Sequence, residues 1–550
     1  MTASEVPQWL QVVSEKRLGS EKAIDKFLEA DRARSELDTP GSTKSNARDA
    51  KAIDGIDDTL QAIASGAVSA STLCAAYVHR AIDAHRRTNC LTEILFEGAI
   101  EQANALDEHF RKHGKLVGPL HGVCMTLKDQ FDVEGFDSTL GYVGRAFKPA
   151  TQDCVLVSLL KQLGAIIIAK SNLPQSIMWC ETDNPLWGLT VHPSNAEFTP
   201  GGSTGGEGAL LSLQGTVIGW GTDIGGSIRI PSHMNGLYGL KPSSTRLPYQ
   251  GVSVSTEGQE HVPSVIGPMS RCIDSLVAVT KAVVDATPWN HDPKCSPITW
   301  RSDMFEDLQS RPLRIAVMRD DGVVRPHPPV ARVLEEVASR LQQAGHDIIS
   351  WSPGNLHQEC IDIMDQYYTA DGGEDIRRDV ESCGEPFIPH VEALVNRGKP
   401  ISVYAYWQLN KQKAAAQKRY LELWKSTRCA KTGKEIDILL CPVMPHSAVQ
   451  HRQCRWVGYT KVFNFIDYPA VVIPAGQVSK ELDSEAAMTM DTYVPRNPLD
   501  HWNWNLFDVD AMDGMPIGVQ IVTRRLHEER ALGAAKIIDA LLKRSRSSVD

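Results

Sequence analysis

The feature that most restricts this chain's fold is a repeated alternation of helical apolar periodicity with apolar runs too short for a helix. Cys154 to Leu163 has helical spacing and is stopped by Gly164, and Ala165-Ile-Ile-Ile-Ala169 follows as a strand. The turn signal Gly118-Pro-Leu-His-Gly precedes an apolar run that delivers Lys128 at its end. Arg314 to Met318 reads as a strand ahead of a helix near Pro329 to Gly345, and residues 354–430 read as mainly helical. Ile436 to Pro442, Ala470 to Pro474 and Gly518 to Val522 are further strands, the last followed by a closing helix. This alternation predicts an α/β sheet. Ile53 to about His113 is a helical lead-in, with Ser69 or Ser71 as an N-cap and Leu95 to Leu106 continuing the periodicity. Before it, residues 1–52 form an expected N-terminal helical arm whose thin stripe is Trp9, Leu10, Val13, Ile24, Phe27 and Leu28. Residues 53–550 form the expected main domain, interrupted at about 477–513 by a polar, Trp-containing excursion that fits an irregular insertion.

Composition narrows the class. Lys and Arg number 57 against 67 Asp and Glu, so 57 − 67 = −10, which disfavours a nucleic-acid partner. The twelve cysteines are scattered without a C-x-x-C pair or zinc spacing, and they read as reduced thiols with no metal site. No window approaches 18 apolar residues, and neither a signal peptide nor a lipidation tag is recognisable, so a cytoplasmic protein without a membrane span is expected. No internal repeat is present.

Two glycine-dense segments, Pro200-Gly-Gly-Ser-Thr-Gly-Gly-Glu-Gly and Gly219-Trp-Gly-Thr-Asp-Ile-Gly-Gly-Ser-Ile-Arg229, imply positive φ angles or close backbone approach. A P-loop fails because no Gly-Lys-Ser/Thr follows, and a dinucleotide fingerprint fails at Ile224. Gly201-Gly-Ser203-Thr-Gly205 matches the G-x-S-x-G elbow, which would make Ser203 a nucleophile, but Phe198-Thr-Pro is a poor elbow strand and no later histidine stands out. A β-lactamase set of Ser158-x-x-Lys161, Thr182-Asp-Asn184 and Lys431-Thr-Gly433 is a coincidence, since Ser158 and Lys161 lie on an apolar-faced helix.

The reading that uses both glycine segments and a lysine is a family resemblance. The chain resembles the amidase signature family, with Ser227 in Asp223-Ile-Gly-Gly-Ser-Ile-Arg229 matching the nucleophile, Ser203 the bridging serine and Lys128 in Leu-Lys-Asp the base. Gly239-Leu-Lys-Pro, Thr369-Ala-Asp-Gly-Gly, Gly384-Glu-Pro and Met515-Pro-Ile-Gly-Val-Gln extend the likeness, to fungal acetamidase-type amidases, over roughly Ile53 to Leu542. Thr204 departs from the serine usual beside the bridging serine. The resemblance implies an α/β/α sandwich with a central mixed β-sheet, a cis peptide at Ser203, and no metal or organic cofactor. It also implies an oxyanion hole from the backbone N–H groups of Ile224, Gly225, Gly226 and Ser227. Met178 and Thr182, with Ser203, are the implied substrate-binding residues, and Thr204, Asp223 and Arg229 the supporting ones.

This chemistry suits those residue types. Hydrolysis of a carboxamide to carboxylate and ammonia needs a nucleophile, a base and stabilisation of a tetrahedral oxyanion. Lysine serves as base only when neutral, which requires burial to lower its pKa from about 10.4. A serine, both donor and acceptor, can relay the proton between Ser227 and Lys128. In isolation each residue has a plainer reading: Lys128 as a surface lysine or an ion pair with Asp129, Ser203 and Ser227 as turn or cap serines, Met178 and Trp179 as core, and His233 as a structural histidine. Small aliphatic amides such as acetamide are the first expected substrates. A larger aryl or indolyl amide, an ester, or glutamine in a tRNA-dependent amidotransferase subunit are the alternatives, and a homodimer is a possible assembly.

Overall fold

The structure, a computed structural model, describes residues 6–37, 53–488 and 493–546. Residues 1–5 and 38–52 of the expected arm and 489–492 of the expected excursion lie outside these. Eleven strands form one sheet. They are β1 (Leu91–Ile94), β2 (Cys124–Lys128), β3 (Ile166–Ser171), β4 (Ile218–Asp223), β5 (Tyr238–Lys241) and β6 (Val265–Ser270). β7 (Arg314–Val317), β8 (Asp347–Ser350), β9 (Ile438–Pro442), β10 (Ala470–Gln477) and β11 (Pro516–Val522) complete it. Their order is β1-β3-β2-β4-β6-β5-β10-β11-β9-β7-β8.

The sheet is mixed, as expected. β2 runs parallel to β3 and β4, and β7 runs parallel to β8 and β9, while the central pairs from β6 to β11 are antiparallel. Parallel neighbours need crossovers. The helices Val155–Gln162, Gly205–Ser212 and Pro328–Gln343 supply them between β2 and β3, β3 and β4, and β7 and β8. Apolar packing covers both faces. One cluster joins β2, β3 and β4 to the helices Ala70–Thr88 and Phe96–His113, and a second joins β10 and β11 to Pro328–Gln343 and Glu528–Arg546. A third packs β7 and β9 against Leu356–Tyr368 and Val403–Ser426. None of the twelve cysteines forms a disulfide.

Ser69 caps the helix Ala70–Thr88 by accepting from the Thr72 N–H. β1, β4, β5, β6 and β8 are not among the expected strands; β1, β5 and β8 have four residues each, β4 and β6 are rich in glycine or polar residues, and β1 lies between two long helices whose periodicity runs through it. The helix Gln8–Leu37 lies against the body: Val13, Ile24 and Phe27 are buried, although Leu10 is exposed. Lys16 reaches both Glu93 and Asp137 at 2.6 Å, and Arg17 donates to the Leu186 carbonyl at 2.7 Å. The 477–513 stretch, expected to be irregular, carries the helices Lys480–Met488, Pro498–Trp504 and Val509–Met512. The last two start on strong caps, Asn497 followed by proline and Asp508, whose side chains accept the first free N–H groups.

The glycine density has a packing cause at Gly206. A Cβ there would stand 2.4 Å from the Asn172 nitrogen and 2.7 Å from the Cys90 carbonyl oxygen, both backbone atoms that cannot swing away. Gly206→Ala should therefore cost about 2 kcal/mol or more of stability, seen as a Tm lowered by several degrees in thermal unfolding; an unchanged Tm would show that this approach is not required.

Candidate active site

Lys128 is the last residue of β2 and Asp223 the last of β4, so the two parallel strands bring both residues to one edge of the sheet. Alternation along β2 puts Thr126 and Lys128 on the same face, towards the helix Gly205–Ser212. There Lys128 is wholly buried, with Nζ 2.5 Å from Ser203 Oγ and 3.0 Å from Thr222 Oγ1. The Gly202–Ser203 peptide is cis. Burial pushes the Lys128 pKa down to about 7, against the opposing pull of Asp223, Asp129 and Glu207.

Two groups that sequence reading missed set the state of this lysine. Thr222 spends its one proton on Gln130 Oε1 at 2.7 Å, and Gln130 Nε2 donates to the Ser253 carbonyl at 2.7 Å, which fixes the amide's orientation. Thr222 Oγ1 can then only accept from Lys128, so one Nζ–H is committed to it. Glu207 accepts from Thr126 Oγ1 at 2.6 Å, and burial raises its pKa to about 8, which weakens its pull on the lysine. Both residues lie in the glycine-dense segments, yet nothing in the motif spacing marks them, and only the fold makes them neighbours of Lys128.

The loop after β4 is organised by Asp223. Its carboxylate accepts from the N–H groups of Gly226 at 2.9 Å and Ile228 at 3.2 Å, from Arg229 Nε at 3.0 Å and Nη2 at 2.9 Å, and from Asn464 Nδ2 at 2.8 Å. Burial alone would raise the Asp223 pKa, but the charge and N–H groups of Arg229 hold it below the usual carboxylate value. Arg229, fully buried, also donates to the Thr460 carbonyl and to Asn464 Oδ1. Tyr368 and Thr460 hydroxyls donate to the carbonyls of Ile224 and Gly225 at 2.9 and 2.7 Å. Gly226 has φ 134°, open to glycine alone at low cost, and this turns its N–H onto Asp223. Of the four N–H groups expected as oxyanion donors, that of Gly226 is thus taken, whereas Asp223 leaves those of Ile224, Gly225 and Ser227 free of itself. Removing the carboxylate strands a buried guanidinium, so Asp223→Ala should lose about 3–5 kcal/mol of stability in denaturant unfolding, and a loss below ~1 kcal/mol would contradict the pairing.

Ser227 opens onto a cavity of about 250 Å³ shared with Met178, Trp179, Gly202, Ile224, Gly225 and Trp456. Thr204 donates its N–H to the Ser227 carbonyl at 3.1 Å, which holds the two glycine segments together, and its hydroxyl lies 3.4 Å from the Thr222 carbonyl. Thr182, expected on the cavity wall, is instead fully buried behind it, its hydroxyl donating to the Gly201 carbonyl at 2.9 Å. Ser203 likewise stands behind the wall beside Lys128. His233 is buried, its Nε2 donating to the His446 carbonyl at 2.9 Å and its Nδ1 accepting from the Gly518 N–H at 3.0 Å, a structural role.

Comparison with known proteins shows the family. The family model described as Amidase matches residues 72–532. The chain is 55% identical over 475 residues to "Amidase 1" of Gibberella moniliformis (strain M3125 / FGSC 7600), covering 86% of this chain and 90% of that one. It is 39% identical over 490 residues to the acetamidase of Emericella nidulans, covering 88% of each. Among solved structures, fatty acid amide hydrolase superposes with a TM-score of 0.85 at 29% identity, over 97% of this chain and 95% of that one. Among the described residues no helix is long and apolar enough to cross a membrane. With a family match across most of its length and relatives named for amide hydrolysis, the chain belongs to the Amidase family of amidase signature enzymes and is an amide-hydrolysing enzyme.

Proposed function

We propose that this enzyme hydrolyses primary carboxamides through an acyl-enzyme on Ser227, with Ser203 relaying the proton to Lys128. The observation that carries the reading is the 2.5 Å contact between Ser203 and a lysine with no solvent exposure and a pKa near 7. About half of such a lysine is neutral at pH 7. Thr222 ties up one Nζ–H of the neutral amine, which leaves the other N–H and the lone pair for the Ser203 hydroxyl, and the base step uses the lone pair. Ser203 then takes the proton of Ser227 as the Ser227 oxygen attacks the amide carbon. The N–H groups of Ile224, Gly225 and Ser227 stabilise the oxyanion, the proton returns to the leaving ammonia, and water releases the acid by the reverse relay.

The substrate expectation shifts with the cavity. Small aliphatic amides such as acetamide enter it, and relatives named acetamidase favour them. Yet walls of Met178, Trp179, Ile224, Tyr368 and Trp456 support an apolar acyl group larger than acetyl.

Intact-mass spectrometry after a fluorophosphonate probe should show labelling lost in Ser227→Ala, slowed in Ser203→Ala and slowed by about 10³-fold in Lys128→Ala. Labelling lost only in Ser203→Ala would move the nucleophile to Ser203. Because the neutral amine is the working form, kcat/KM should rise with pH to a plateau, half-maximal near pH 7. A profile flat from about pH 5 to about pH 9 would remove Lys128 as base. Thr222→Val should lower kcat about fivefold to tenfold and Thr222→Ser restore it, with KM little changed; equal rates in all three would end the positioning role of Thr222.

A further inference from the structure

The inner wall of the Ser227 cavity is apolar, but its mouth is cationic. Arg397 and Arg455, both exposed, stand there, and the buried Lys461 lines the cavity with one carboxylate, Asp365. Asp365 pairs with Lys461 and lies 3.8 Å from Arg397, so three cations against one anion leave two formal positive charges. They stand out on a chain whose net charge is −10.

Arg455 is the unusual member. It is exposed, and among the described residues no carboxylate pairs with it. Its guanidinium carbon instead lies over the Trp502 ring, 3.3 Å from the centroid. The Trp502 ring is fixed in turn, since its Nε1 donates to the Gln453 carbonyl at 3.1 Å. A guanidinium stacked by its face keeps its in-plane N–H groups free, and that planar fork matches a carboxylate. Leu499, from the same helix as Trp502, adds an apolar edge to the mouth.

We propose that Arg455, held by Trp502, is a carboxylate-recognition subsite, and that the substrate is an amide whose apolar acyl group carries an anionic group at its far end. This rests on reading the Ser227 cavity as the acyl site. The amide carbon sits at Ser227, the apolar body lies along Ile224, Tyr368 and Trp456, and the carboxylate reaches the Arg455 fork, with Arg397 adding charge.

The test compares 3-phenylpropanamide with 3-(4-carboxyphenyl)propanamide. The intact enzyme should prefer the carboxylated amide by about tenfold or more in kcat/KM. Arg455→Ala should collapse that ratio, Arg455→Lys should restore only part of it because lysine lacks the fork, and Trp502→Ala should lower it through a raised KM. A ratio at or below one, or a ratio indifferent to Arg455→Ala, overturns the subsite. Calorimetric binding of both amides to Ser227→Ala separates the two readings. Tighter binding of the carboxylated amide that depends on Arg455, with neither amide hydrolysed by the intact enzyme, would uphold the subsite and overturn the hydrolytic reading. Hydrolysis of both at equal rates, or equal binding, would overturn the subsite alone.

Discussion

Everything at this site depends on the buried pair of Asp223 and Arg229. Both side chains are fully buried, and each is costly there unless its hydrogen-bonding capacity is met. It is met in full view of the loop: Asp223 gathers N–H groups of Gly226 and Ile228, while Arg229 reaches Thr460, Asn464 and Gln520. The pair therefore stitches the end of β4 to the helix Gly458–Phe465 and to β11. Its value lies in geometry. Five residues of loop between a strand and a short helix acquire one conformation because a single carboxylate addresses their backbone.

The same pair bears on the charge around Lys128. Asp223 still pulls the Lys128 pKa upward even with Arg229 paired to its carboxylate, and it is burial, the largest influence, that carries the lysine down to about 7. The lysine is left with hydroxyl partners, Ser203 and Thr222, which impose direction and little charge. An amine that would be a plain cation on the surface becomes half neutral at neutral pH. The fold achieves this with a strand end, a helix of small residues and no histidine.

The sequence pattern made the α/β sheet and its most apolar strands legible because runs such as Ile166–Ser171 are bounded by glycine and flanked by helical periodicity, while the mixed sheet came with the family likeness. Short strands escaped, since Leu91–Ile94 carries four residues of pattern between two helices. The grouping of Lys128, Ser203 and Ser227 was legible through a motif likeness, and the structure brings Lys128 onto Ser203 and the Ser203 segment against Ser227. Thr182 and the Gly226 N–H were misplaced because motif matching gives neighbourhood and not direction. Gln130, Thr222, Glu207 and the Arg455–Trp502 stack were invisible for a different reason: each depends on contacts between segments dozens to hundreds of residues apart. Trp502 lies in the stretch that reads as an irregular insertion.

Order of synthesis gives the Asp223–Arg229 pair another meaning. Lys128, Ser203 and Ser227 have all been translated by residue 227, yet Gln520, which accepts from Arg229, lies 291 residues beyond it. At about 5–20 residues per second that interval is roughly 15–60 s. Throughout it, the loop lacks β11, the strand that completes its buried charge network. The nascent chain thus carries its whole set of proposed reacting groups long before it can hold them in register, and competence arrives only when nearly the entire polypeptide has left the ribosome.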